Sequence, residues 1–195
     1  MKINQQGINL IKECEGLRLH AYKAVKSEKY YTIGYGHYGI RDGNMVITEA
    51  EAESLLVMDL ERYESIVNTA NEKYGYDFNS NEFSALVSFA YNIGGVVQLT
   101  QNGKRSKAEI AEAMLLYNKA GGNVLPGLTS RRKRERALFL TPCDEVIINT
   151  SAYTEDTTLG QVVDDVIAGD FGNGDIRKRN IYNMVQNLVN ARLSK

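Results

Sequence analysis

The stretch that most constrains this chain runs from Glu13 to His37, ECEGLRLHAYKAVKSEKYYTIGYGH. Upstream of it and into it, Ile8, Leu10, Ile11, Cys14, Leu17 and Leu19 fall mostly at steps of three and four, the period of an amphipathic helix. Gly16 predicts that this helix ends just past Glu15. Tyr30, Tyr31, Thr32, Ile33 and Tyr35 then favour a strand, with Gly34 and Gly36 interrupting at alternate positions. Glycines so placed let a backbone approach a ligand or another strand closely. A carboxylate at a helix end therefore faces a hydroxyl and an imidazole on a hairpin, the layout of a cleft between a helix and a small sheet.

Several segments carry a family resemblance. Glu15-Gly16-Leu17-Arg18-Leu19, Ala21-Tyr22-Lys23 and Tyr31-Thr32-Ile33-Gly34-Tyr35-Gly36-His37 resemble the active-site segment of phage-type lysozymes, glycoside hydrolase family 24. FNSNEFSALVSFAYNIG and YNKAGGNVLPGLTSRRKRERALFL resemble two further blocks of that family, in the same order. The resemblance covers about residues 7–140. It implies that Glu15 is the general acid and Thr32 the second polar residue of the site. Where the family carries an Asp two residues after the Tyr, this chain has Ala24. Glu28 is the only acid in the loop 24–29, which is lengthened relative to the family pattern, and is the candidate replacement base. The resemblance also pairs His37 with Asp59 and sets an Arg of the last basic helix against Glu15. Arg132 is expected there in preference to Arg131 or Arg134.

The implied reaction is hydrolysis of the β-1,4 bond between N-acetylmuramic acid and N-acetylglucosamine in bacterial peptidoglycan. An acid on one face of the bond and an activated water on the other give inversion. Two alternatives stand beside it: a lytic transglycosylase, which needs one carboxyl, and a wall-binding protein with a dead site.

The rest of the chain reads as mainly helical α+β. Thr48-Glu49-Ala50-Glu51 is a capping-box pattern and opens a long helix over roughly 49–71. Met45-Val46-Ile47 reads as a short strand. Asn79 to Glu82 starts another helix, stopped at Gly94-Gly95. Ser106 to Glu109 is a second capping box, whose helix runs toward Gly121-Gly122. Pro126-Gly127 predicts a turn, and Thr129 the start of the basic helix that ends before Pro142.

The acidic segment 144–156 reads as a linker between a catalytic domain, 1–143, and a small three-helix domain, 157–195. VIAGDFGNGDIRK and VQNLVN resemble the cell-wall-binding repeat found after some phage lysozyme domains, of the CW-seven type. That resemblance makes Phe171, Asn173, Arg177 and Tyr182 candidate wall-binding residues. Tyr182, Val185, Leu188, Val189 and Leu193 predict an amphipathic last helix. About 40 residues form a marginal core, so this piece is expected to lean on its neighbour or on a second copy, giving a possible dimer.

Composition excludes other classes. The net charge is −1 over 195 residues, and no basic stripe is interleaved with aromatics, so nucleic acid is not an expected partner. Residues 1–143 carry 18 basic and 16 acidic side chains, and residues 144–195 carry 5 and 8. No run reaches the ~20 apolar residues of a membrane span. With only Cys14 and Cys143, no CxxC pattern and few His, zinc is not expected, the resemblance implies no cofactor, and Cys14 reads as a small buried hydrophobe. The N-terminus has no signal-peptide pattern. This predicts accumulation in a host cytoplasm before release to the wall, which the resemblance assigns to a holin.

Overall fold

The computed structural model describes residues 1–142 and, beyond them, residues 161, 162, 181, 182, 184, 185, 188 and 189. Lys2–Thr141 is one compact unit, and Pro142–Lys195 belongs to a second.

In the first unit, helix α1 (Gln5–Glu15) opens on Asn4, whose side chain accepts from the Gly7 amide, and closes on Gly16 at φ 71°. Leu19 therefore leaves the helical stripe and joins strand β1 (Arg18–Tyr22). Strands β2 (Tyr31–Gly34) and β3 (His37–Ile40) complete an antiparallel sheet in the order β1-β2-β3. Tyr35 and Gly36 form the turn between β2 and β3 instead of extending the strand. Met45–Ile47 is not a separate strand. Val46 makes a single bridge to His20, flanked by the Ala21 amide donating to the Met45 carbonyl and the Ile47 amide to the Leu19 carbonyl.

Helix α2 (Glu49–Tyr74) has the Thr48–Glu51 capping box and ends on Gly75 in the left-handed region. At 26 residues it is about 39 Å long. It crosses the back of β2 closely: a Cβ on Gly34 would lie 3.3 Å from the Ala52 Cβ. That glycine thus serves helix-on-sheet packing, not ligand approach.

Helix α3 (Ser80–Ile93) is the centre of the unit. Every residue from Asn81 to Ala90 is buried, as expected for a helix packed on all sides. Helices α1, α2 and α5 pack around it. Phe83, Leu86, Val87 and Phe89 are fully buried there.

Helix α4 (Lys107–Met114) begins at the Ser106 capping box. It stops before Gly121-Gly122, because those glycines form the tip of a small hairpin, β4 (Lys119–Ala120) and β5 (Asn123–Val124). Both have positive φ, which a two-residue hairpin turn demands. Helix α5 (Pro126–Leu140) begins at the proline and not at Thr129. Proline is well suited to a first helical position, where its missing N–H would have no partner in any case.

In the second unit, Ile181, Tyr182, Met184, Val185, Leu188 and Val189 are helical. Met184 is buried, while Tyr182, Val185 and Val189 are exposed. Ile181 and Leu188 are half-buried. Among the described residues, no helix is long and apolar enough to cross a membrane.

Candidate active site

Glu15 is the last residue of α1, and the Gly16 cap ends the helix directly behind it. Its side chain is 25% exposed, and its Oε1 accepts from Arg131 Nη1 at 2.6 Å. The partner is therefore Arg131, not Arg132, which corrects the sequence expectation. Successive residues on a helix point about 100° apart, so neighbouring arginines serve different faces of α5.

Arg131 is almost wholly buried and spends its donors in three directions. Nη1 reaches Glu15, Nε donates to Glu135 Oε1 at 3.0 Å, and Nη2 donates to the Ser88 carbonyl at 3.2 Å. Arg132 is fully buried. Its Nη2 donates to Asn92 Oδ1 at 3.0 Å and to Glu135 Oε1 at 3.1 Å, and its guanidinium lies 4.8 Å from the Phe89 ring centre.

Glu135 is the hub of this network. Its Oε1 accepts from Arg131, from Arg132 and from the Ser88 hydroxyl at 2.9 Å, while Oε2 sits 2.8 Å from Arg132 Nε. Burial holds the Glu135 carboxyl above its ordinary value, against the pull of the two guanidiniums and Ser88. Oε1 takes all three hydrogen bonds, while Oε2 is buried close to Arg132 Nε without a hydrogen bond to it. Neither Glu135 nor Ser88 is among the sequence-derived site residues. The available signal was a pair of polar residues, one in the apolar run of α3 and one four residues after Arg131.

On the sheet, Thr32 is buried on β2, paired in register with Tyr22 of β1 and Tyr38 of β3. Glu28 lies in the loop between β1 and β2. Its Oε2 accepts from the Ala24 amide at 3.0 Å, and its own amide donates to the Val25 carbonyl at 3.0 Å. The only acid of this loop is thus turned onto the backbone of the residue standing at the family's Asp position.

His37 begins β3, and its Nδ1 lies 3.0 Å from both carboxylate oxygens of Asp59 on α2. The two side chains are 25% and 29% exposed. Tyr91 of α3 lies beside these groups. Its hydroxyl donates to the Tyr35 carbonyl at 2.9 Å and its ring meets Tyr63 edge-on. Burial, then the nearby charges of Glu15 and Asp59, pushes the Tyr91 phenol well above its ordinary value. Glu15, Arg131, Tyr91 and Asp59 therefore share one electrostatic neighbourhood.

Cys14 carries a free, half-buried thiol, pushed up by burial against the pull of Arg131 and Arg134. No group of three His, Cys, Asp or Glu side chains able to hold a metal occurs among the described residues. Phe171, Asn173, Arg177 and the linker 144–156 lie outside the described residues. Tyr182 is helical and 62% exposed.

A carboxyl open to solvent on one side and fixed by a guanidinium on the other is suited to exchanging a proton with a bound group. Comparison with known proteins gives this arrangement a context. The phage lysozyme family model matches residues 12–135, and the CW_7 repeat model matches residues 160–193. An endolysin of Bacillus phage B103 is 48% identical over 150 residues, covering 72% of this chain and 55% of the relative. The chain thus spans little more than half the length of the Bacillus phage relatives it matches. An endolysin of Salmonella phage P22 is 38% identical over 72% of this chain and 99% of its own length. Among solved structures, the muramidase domain of SpmX from Asticaccaulis excentricus superposes with a TM-score of 0.64 at 33% identity, over 72% of this chain and 99% of that one. The first match alone takes in every residue from Glu13 to Glu135 on which the Glu15–Arg131–Glu135 chain of contacts depends, and on these grounds the chain belongs to the phage lysozyme family.

Proposed function

We propose that the chain is an endolysin-type muramidase that hydrolyses the β-1,4 bond between N-acetylmuramic acid and N-acetylglucosamine in bacterial peptidoglycan, leading to lysis of the host cell. The observation that carries this reading is Glu15, placed by the end of α1 with one carboxylate oxygen fixed on a buried guanidinium. Glu15 donates a proton to the leaving glycosidic oxygen. Thr32, with Glu28, orients or activates water on the opposite face of the sugar, so the configuration inverts. His37 and Asp59 tie the hairpin to α2, and Arg131 holds the acid in place.

Residues 1–143 form the catalytic domain, and 157–195, joined by the linker 144–156, form a wall-binding module. The match of residues 160–193 to the CW_7 repeat supports this division. Phe171, Asn173, Arg177 and Tyr182 contact the wall, and tethering raises the local concentration of substrate. Truncation after residue 145 is expected to keep turnover on soluble oligosaccharides while weakening sedimentation with whole walls. Equal pelleting of both forms would point instead to a dimerisation element. The protein gathers in the host cytoplasm and acts at the wall once released.

One observation favours a second reading. Glu28 already accepts a hydrogen bond from the Ala24 amide, and a lytic transglycosylase has no need of a second carboxyl. Mass spectrometry of digested purified peptidoglycan separates the two: the muramidase leaves reducing N-acetylmuramic acid ends, whereas a 1,6-anhydro end on the products contradicts it.

A further inference from the structure

We propose that Glu135 is a positioning residue for the reaction, holding Arg131 and through it setting the orientation of Glu15. This inference rests on the reading of Glu15 as the acid.

Arg131 has two carboxylates within hydrogen-bond reach, one on each side. Nη1 meets Glu15 at 2.6 Å and Nε meets Glu135 at 3.0 Å. Glu15 is partly exposed, while Glu135 is fully buried. The buried partner is the fixed one: its Oε1 takes three donors from α5 and α3. A guanidinium anchored at Nε by this carboxylate, and at Nη2 by the Ser88 carbonyl, presents Nη1 to Glu15 in one orientation. That is how a planar fork confers geometric specificity.

Glu135 and Glu15 both stabilise the charged Arg131 guanidinium. The charged and titratable groups around the pair are few. Glu135 faces Arg131 and Arg132 on its own helix, Ser88 on α3 and Cys14 on α1. Glu15 faces Arg131 of α5, Tyr91 of α3 and Cys14 beside it. On α4, Glu112 is paired with Arg136. Without the Glu135 carboxylate, Arg131 loses its anchor at Nε, and Nη1 is no longer held toward Glu15 in one orientation.

The test is the kcat and KM of the full chain carrying Glu135→Gln, assayed on soluble cell-wall oligosaccharides beside the parent, Glu135→Asp and Glu15→Gln. For Glu135→Gln, kcat is expected to fall about 10- to 100-fold through lost orientation, with little change in KM. Glu135→Asp keeps the carboxylate on a shorter reach, so kcat falls by less and KM again changes little. A folded Glu135→Gln variant with the parent's kcat, or one that loses only in KM, overturns the proposal and leaves Glu135 a packing residue. If Glu135→Gln does not fold, Glu135→Asp decides: parental kcat in that variant overturns it equally. Activity in Glu15→Gln, by contrast, removes the reading of Glu15 itself and identifies the premise as what failed.

Discussion

Gly7→Ala sets two well-known effects against each other. Replacing a helix-interior glycine by alanine ordinarily stabilises by about 0.8–1 kcal/mol. At Gly7, however, the added Cβ would lie 2.8 Å from Ile3 Cγ1 and 2.8 Å from Ser84 Cβ. The Ile3 contact involves a flexible side chain, which can rotate. Ser84 cannot withdraw: it is fully buried, and its hydroxyl accepts from the Asn4 amide at 2.9 Å and donates to the Ser80 carbonyl at 2.6 Å. Relief therefore requires α1 to move off α3, an overpacking cost of about 1–3 kcal/mol. With the fixed neighbour placing the cost in the upper half of that range, the variant is about 1–2 kcal/mol less stable than the parent. For a unit of this size that lowers Tm by roughly 3–6 °C. Glu15 lies eight residues further along the same helix, about 12 Å away, so activity falls as well. Urea denaturation followed by circular dichroism measures the stability change. Gly127→Ala is the control, because nothing lies within 4 Å of a Cβ there, and it is neutral or stabilising. A Gly7→Ala protein as stable as the parent refutes the close-packing argument for α1 on α3.

Three further outcomes are expected. The Glu51 carboxyl is held below its usual value by hydrogen bonds from the Thr48 amide and hydroxyl. Its contribution to stability is therefore present above the ordinary carboxylate range and lost as pH falls through the lowered value, so Glu51→Gln lowers the urea midpoint at pH 7 and has little effect at pH 3. An equal loss at both pH values contradicts this. The Cys14 thiol, raised by burial, reacts with iodoacetamide at pH 8 more slowly than free cysteine in a Cys143→Ser background, and a faster reaction contradicts its burial. Glu28→Gln reduces turnover by at least ~10²-fold, the low end for a general base. A variant within a few fold of the parent leaves Glu28 as only the clamp on the Ala24 amide.

Features whose causes are local were legible in the sequence. The end of α1 at Glu15 followed from Gly16, and the starts of α2 and α4 followed from the reciprocal bonds of Thr48 with Glu51 and Ser106 with Glu109. The start of α5 was misread because Pro126-Gly127 looks like a turn, yet proline equally opens a helix. The preference for Arg132 over Arg131 fails because the choice depends on the rotation of α5 against α1 and α3. Glu135 was hidden for the same reason. A charged residue in RRKRER looks solvated, and only the tertiary packing encloses it with two guanidiniums and Ser88. The short run at Met45–Ile47 had strand-forming residues but only one bridging partner, His20.

The most direct test of the central claim is the clearing of purified cell walls by Glu15→Gln. The substitution keeps the size of the side chain and an oxygen able to accept from Arg131, and removes the acid. The variant is expected to match the parent in circular dichroism and, within a few degrees, in Tm, while its clearing rate falls by at least ~10²-fold, the scale of general acid catalysis. A folded Glu15→Gln protein that clears walls at close to the parent's rate contradicts the assignment of Glu15 as the acid.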